Sequence, residues 1–236
     1  MAEEKREEIP LQKLLEAILP HQEGIYVTVL NIIQCIALAF LMNEARDTIT
    51  KGEASLPWFL RSGATLALIL VIWQRYISES QYLWPMTWLD TLIPFSIGIA
   101  ECMVVFSTST RIGLYWFIFW MTSIQFLALI AYGYANYKRN KKITEKLYIE
   151  VYGDYPKFAI HLLNFLKGYD KWHMGVFIIS ICIYLSVFLL AVISLPRTYN
   201  EIILPGIYIF EMIRGEFANN FQKALLSDKN IGRYFQ

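Results

Sequence analysis

Asp90 and Glu101 are the only charged residues in the apolar run from Leu83 to Phe106, a stretch long enough to cross lipid. Eleven helical residues turn through about three full turns, so both acids fall on one face, about 16 Å apart along the axis. Ionisable groups at membrane depth are costly, and they pair with another group or line a watery path. Helical rotation brings Thr87, Pro94 and Thr108 to the same face, with Gly98 slightly further round. Pro94 removes one backbone hydrogen bond and frees the carbonyl one turn back, at Asp90. Acids plus a freed carbonyl are what cation pores use, which makes Asp90, Glu101, Pro94, Thr87 and Thr108 the candidate ion path.

A purely structural role competes with that. The preceding apolar run carries Arg61 and Arg75, fourteen residues apart and nearly on one face. In an antiparallel hairpin, Arg61 reaches the depth of Glu101 and Arg75 that of Asp90, so both arginines are candidate intramembrane ion-pair partners. Arg75 sits near an interface and can reach the headgroups, which leaves Asp90 the more functional of the two acids and Glu101 the more structural. Asn31, Gln34, Thr122, Ser123 and Gln125 are polar groups of the kind that join helices in lipid at roughly 0.6–2 kcal/mol each.

The elements that must position these residues follow from composition. The chain has 236 residues, 56% hydrophobic and 17% charged, with a mean hydropathy of +0.39. Soluble domains carry about 25% charged residues. The pattern predicts an all-α, polytopic integral membrane helical bundle with about five transmembrane helices and short amphipathic surface helices. The spans are expected near 25–42, 58–77, 83–106, 112–134 and 174–195, within one membrane domain covering 25–195. Residues 1–24 form an acid-rich amphipathic segment without the apolar core of a cleavable signal, so span one reads as a signal anchor. Residues 196–236 form an amphipathic tail, whose apolar part around Ile202–Ile213 is too short to cross and reads as a surface, re-entrant or oligomer-contact helix.

Between spans four and five, residues 137–172 should form two amphipathic helices broken at Gly153–Pro156. The loop opens with Lys138, Arg139, Lys141 and Lys142, expected to meet anionic lipid headgroups. Setting aside Arg61 and the residues after Arg214, Lys and Arg number twelve on the side of the N-terminus and five on the other. That asymmetry puts the N-terminus in the cytoplasm, with the protein in a plasma or inner membrane.

Some functions are disfavoured. His21, His161 and His173 all fall outside the expected spans, and no metal-ligand spacing, P-loop, Gly-x-Ser-x-Gly or Cys-x-x-Cys occurs. Cys35, Cys102 and Cys182, an odd number, all lie in spans and read as reduced. No enzyme, metal, cofactor or nucleic-acid role is therefore expected. Three readings remain: a homo-oligomeric, cation-leaning channel lined by the third span; a non-conducting subunit that binds a partner through the 137–172 loop or the tail; and a small-solute or proton-coupled transporter.

Overall fold

The computed structural model describes residues 11–79, 88–152, 155–194 and 196–226, with side chains placed over 28–79, 88–152, 155–190, 192–194, 196 and 199–217. Thr87, one of the expected path residues, lies outside them. The described residues form seven helices and no strand: α1 Leu11–Thr50, α2 Leu56–Glu79, α3 Trp88–Phe106, α4 Leu114–Arg139, α5 Lys142–Val151, α6 Pro156–Ser194 and α7 Arg197–Leu226. Five of them are long and apolar enough to cross a membrane, so the chain is an all-α membrane bundle.

Local chemistry sets the turns. Gly52, at φ +67°, closes α1 in the left-handed conformation that costs glycine least, and Glu53 N–H reaches back to the Thr48 carbonyl at 3.0 Å. At the end of α3, the Ser107 and Thr108 hydroxyls donate to the Val104 and Val105 carbonyls at 2.8 and 2.7 Å. Thr108 is fully buried there, its hydroxyl bonded within its own helix end. Thr144 donates to the Lys138 carbonyl at 2.8 Å and ties α5 to the end of α4. Pro156 occupies the first position of α6, where its missing N–H costs nothing.

The long helices close into a ring. Neighbours run α1, α3, α4, α6, α7, α2 and back to α1. Ala64 and Leu68 of α2, Ala100 and Val104 of α3, Phe117 and Met121 of α4, Tyr184 of α6, and Leu204 and Tyr208 of α7 fill its interior. Outer faces are apolar instead: Leu92, Phe95 and Ile99 on α3 are exposed, as are Phe210, Ile213 and Phe217 on α7. This is the sidedness of a bundle solvated by hydrocarbon, where polar groups turn inward.

Two elements differ from the sequence expectation. α6 is one helix of 39 residues, about 58 Å long, so the second loop helix and the fifth span are continuous. The break at 153–156 falls where expected, between α5 and α6. The tail, expected outside the 25–195 domain, packs against it: α7 lies along α2 and α6 and forms the sixth wall of the ring.

Candidate functional site

The arginines of α2 pair with α7, not with α3. Arg61, fully buried, bonds Glu201 through Nη2, while Nη1 donates to the Ile112, Ser109 and Ser107 carbonyls at 3.0, 3.2 and 3.4 Å. Arg75 Nη2 donates to Glu216 Oε1 at 2.6 Å. The expected Arg61–Glu101 and Arg75–Asp90 pairs are therefore replaced. Azimuth decides: in the ring α2 lies between α1 and α7 and meets α3 only weakly. The two pairs also fix direction. Fourteen residues separate the arginines and fifteen separate the glutamates, so α2 and α7 run parallel over about 21 Å.

The two acids of α3 face inward to other partners. Glu101, fully buried, accepts both 2.9 and 3.2 Å contacts from Gln34 Nε2 of α1. Asp90, 6% exposed, lies 3.9 Å from Lys138 Nζ of α4. Lys138 also sits 5.2 Å over the Tyr134 ring. Pro94 is buried on the same face between them.

That geometry corrects the headgroup assignment for two of the four basic residues. Lys138 and Arg139 are buried because α4 continues to Arg139 and lays its last turn against α6. There Arg139 pairs with Asp170 and donates to the Leu166 carbonyl at 3.4 Å. Lys141 and Lys142 are exposed, as a lipid-facing role needs; Lys141 Nζ lies 4.5 Å over the Tyr137 ring.

A cavity of about 150 Å³ opens inside the ring, next to the Arg75–Glu216 pair. Its wall is mostly apolar, from Leu68, Val71 and Ile72 of α2, Ile97 of α3, Met121, Ile124 and Ala128 of α4, and Val176 and Phe177 of α6. Its polar lining residues are Arg75, His173, Tyr132, Gln125, Ser180, Glu211 and Glu216, spread along the cavity on α2, α4, α6 and α7. A guanidinium has no acceptor, so Arg75 Nη1 must donate to His173 Nε2 at 2.6 Å. His173 Nδ1 then carries the hydrogen and donates to the Tyr169 carbonyl at 2.9 Å. The histidine is thereby held in its neutral form, stacked on Tyr132 at 4.7 Å. Arg75 Nη1 also meets the Tyr169 hydroxyl at 3.1 Å.

One helical turn away, Glu211 binds through a single oxygen. Its Oε2 accepts from Ser180 Oγ at 3.0 Å and from Arg214 Nε and Nη2 at 2.9 and 2.6 Å. Across the cavity wall, the Gln125 carboxamide oxygen is buried and accepts no hydrogen bond among the described residues. Toward the far end, Tyr208 of α7 meets Thr122 of α4 at 2.7 Å and closes the interior together with Tyr184 and Leu204.

His173, Glu211 and Glu216 were missed by sequence reasoning, and Gln125 was read as packing glue. One signal was present: Glu201 and Glu216 repeat the spacing of Arg61 and Arg75 to within one residue, as partners on parallel helices must. Among the described residues no group of His, Cys, Asp and Glu is placed to hold a metal ion. The three cysteines are unbridged. Comparison of the chain with protein-family models, with curated proteins and with solved structures finds no match.

Proposed function

We propose that this membrane protein is a carrier for a small solute, which it takes into the cavity lined by a single copy of the chain. One observation carries the reading: the cavity lies among α2, α4, α6 and α7, at a depth between the two ion pairs that α2 and α7 make with each other. Arg75–Glu216 closes it at one end. Beyond the Tyr208–Tyr184–Leu204 plug, Arg61–Glu201 closes the other, with Arg61 5.9 Å from the centre of the Phe117 ring. A site near the middle of a bundle with a closure on each side is the arrangement alternating access requires.

An Asp90-lined oligomeric channel asks for that acid on a shared axis, whereas Asp90 faces Lys138 within one copy. The cavity therefore supports a carrier better than a ring-type pore. Neither homo-oligomerisation nor a protein partner on residues 137–172 or on the tail is needed, and no catalysis is invoked. The Lys and Arg asymmetry supports a cytoplasmic N-terminus in a plasma or inner membrane, with the Arg75 end on the cytoplasmic side.

The test is accessibility. In a chain with Cys35, Cys102 and Cys182 replaced by serine, Gln125→Cys is probed in sealed vesicles with a membrane-impermeant cationic methanethiosulfonate. A carrier is labelled from both sides of the membrane. Labelling from one side only, or from neither, overturns the proposal.

A further inference from the structure

We infer that the cavity takes a small uncharged alcohol: an apolar body about the size of a benzene ring with one hydroxyl group. This rests on the carrier reading and names its substrate class. Size comes first. A cavity of about 150 Å³ lined mostly by aliphatic and aromatic side chains holds a molecule of roughly benzene size. Ala128 on α4 and Gly215 on α7 add little bulk to the wall, which leaves room for such a body.

Charge comes next. Two carboxylates stand at the cavity, Glu211 and Glu216, and each has its own guanidinium. Arg75 Nη2 donates to Glu216 at 2.6 Å, and Arg214 donates to Glu211 through Nε and Nη2 at 2.9 and 2.6 Å. His173 is neutral, since it accepts from Arg75. The charges at the wall therefore balance. A charged solute of either sign would bring an uncompensated charge into a mostly apolar site inside a membrane bundle, which is costly. An uncharged solute avoids that cost.

Hydrogen-bonding capacity then sets the polar group. Gln125 shares one face of α4 with Met121, Ala128 and Tyr132, and all four line the cavity. Its carboxamide makes no hydrogen bond among the described residues, through the oxygen or through the N–H groups, and the oxygen is buried. Arg75, His173, Ser180, Glu211 and Glu216, by contrast, are bonded to one another or to Arg214 and Tyr169. An unmet amide in a dry site costs free energy. It offers both an acceptor and donors, so its best partner is a group that can give and take a hydrogen bond. A hydroxyl donates to the amide oxygen or accepts from its N–H groups, whichever end the amide presents. It is also the smallest such group to add to a body that already fills the cavity.

The experiment compares benzyl alcohol, benzylamine, benzoate and ethylbenzene, close in size and different in head group, by calorimetry on the full chain in nanodiscs, with empty nanodiscs as the blank. Saturable benzyl alcohol binding, with benzylamine and benzoate each at least about tenfold weaker, supports the inference. Gln125→Met, which keeps the length of the side chain and breaks no hydrogen bond, should lower benzyl alcohol affinity at least about fivefold. The response to ethylbenzene should stay within about twofold. Gln125→Leu supplies a second variant with the same expected pattern. Binding of the amine or of benzoate as tight as that of the alcohol overturns the uncharged class. Substitutions of Gln125 that weaken alcohol and ethylbenzene alike, or weaken neither, overturn recognition of the hydroxyl. No saturable binding of benzyl alcohol overturns the inference as well. In each of these cases two-sided labelling of Gln125→Cys still upholds the carrier; where that labelling is absent or one-sided, the carrier reading falls with it.

Discussion

Arg75 and Glu216, 141 residues apart in the chain, meet at 2.6 Å and join the second helix to the last. Without this bond and its counterpart Arg61–Glu201, the charged face of α7 would have no reason to sit inside the ring. Breaking a buried pair on one side leaves a stranded charge, at about 3–5 kcal/mol when burial is complete. Here the two side chains keep 16% and 27% exposure, so the loss is smaller. Arg75→Ala should lower unfolding stability in detergent by about 2–3 kcal/mol. Arg75→Ala with Glu216→Ala should cost less than the sum of the single changes by at least about 1 kcal/mol. Additive single and double changes would mean the two residues do not couple.

Glu101 and Gln34 make a buried side-chain bond between α3 and α1. Glu101→Leu strands the Gln34 amide and should cost about 1–3 kcal/mol. Adding Gln34→Leu removes the stranded group, so the double variant should recover most of that loss. Thermal unfolding of the three variants reads this directly. A double variant no more stable than Glu101→Leu would show that Gln34 is not the partner that matters.

Gly98 lets α1 and α3 approach closely. A Cβ added there would stand 2.3 Å from Ile33 Cγ2, well inside contact distance. Overpacking of this kind costs about 1–3 kcal/mol. Gly98→Ala should therefore destabilise the bundle, and Ile33→Ala in the same chain should relieve it. Tolerance of Gly98→Ala alone would mean that the α1–α3 contact is looser than described.

The four basic residues after span four should separate into two behaviours. Lys141→Gln and Lys142→Gln should leave stability unchanged and weaken binding of anionic lipid by about 1 kcal/mol each. Arg139→Gln leaves Asp170 buried without its cation and should lower the unfolding midpoint. Native mass spectrometry with anionic lipid and thermal unfolding distinguish the two groups. Equal effects at all three positions would contradict the burial of Arg139.

How much of this was legible depended on what hydrocarbon alone can dictate. Asp90, Pro94 and Glu101 were recognisable as one inward face, because lipid penalises charge whatever the partner. The chain break at 153–156 was legible from Gly153 and Pro156. Partners were not. Matching Arg61 to Glu101 by depth ignored azimuth, which is set by ring order. Glu201, Glu211 and Glu216 interrupt the apolar run of α7, and hydropathy reports exposure to lipid, not shelter by α2. His173 escaped because span five was begun at Met174, while α6 starts at Pro156 and carries His173 into the ring.

The claim that matters most is that the α2–α7 pairs close opposite ends of one cavity. Its direct measurement is the rate of labelling of Gln125→Cys from each side of sealed vesicles, with Glu216→Gln or Glu201→Gln added. Glu216→Gln should speed labelling from the Arg75 end and slow it from the other; Glu201→Gln should do the reverse. Two variants that shift both sides in the same direction, or shift neither, would contradict a gated carrier.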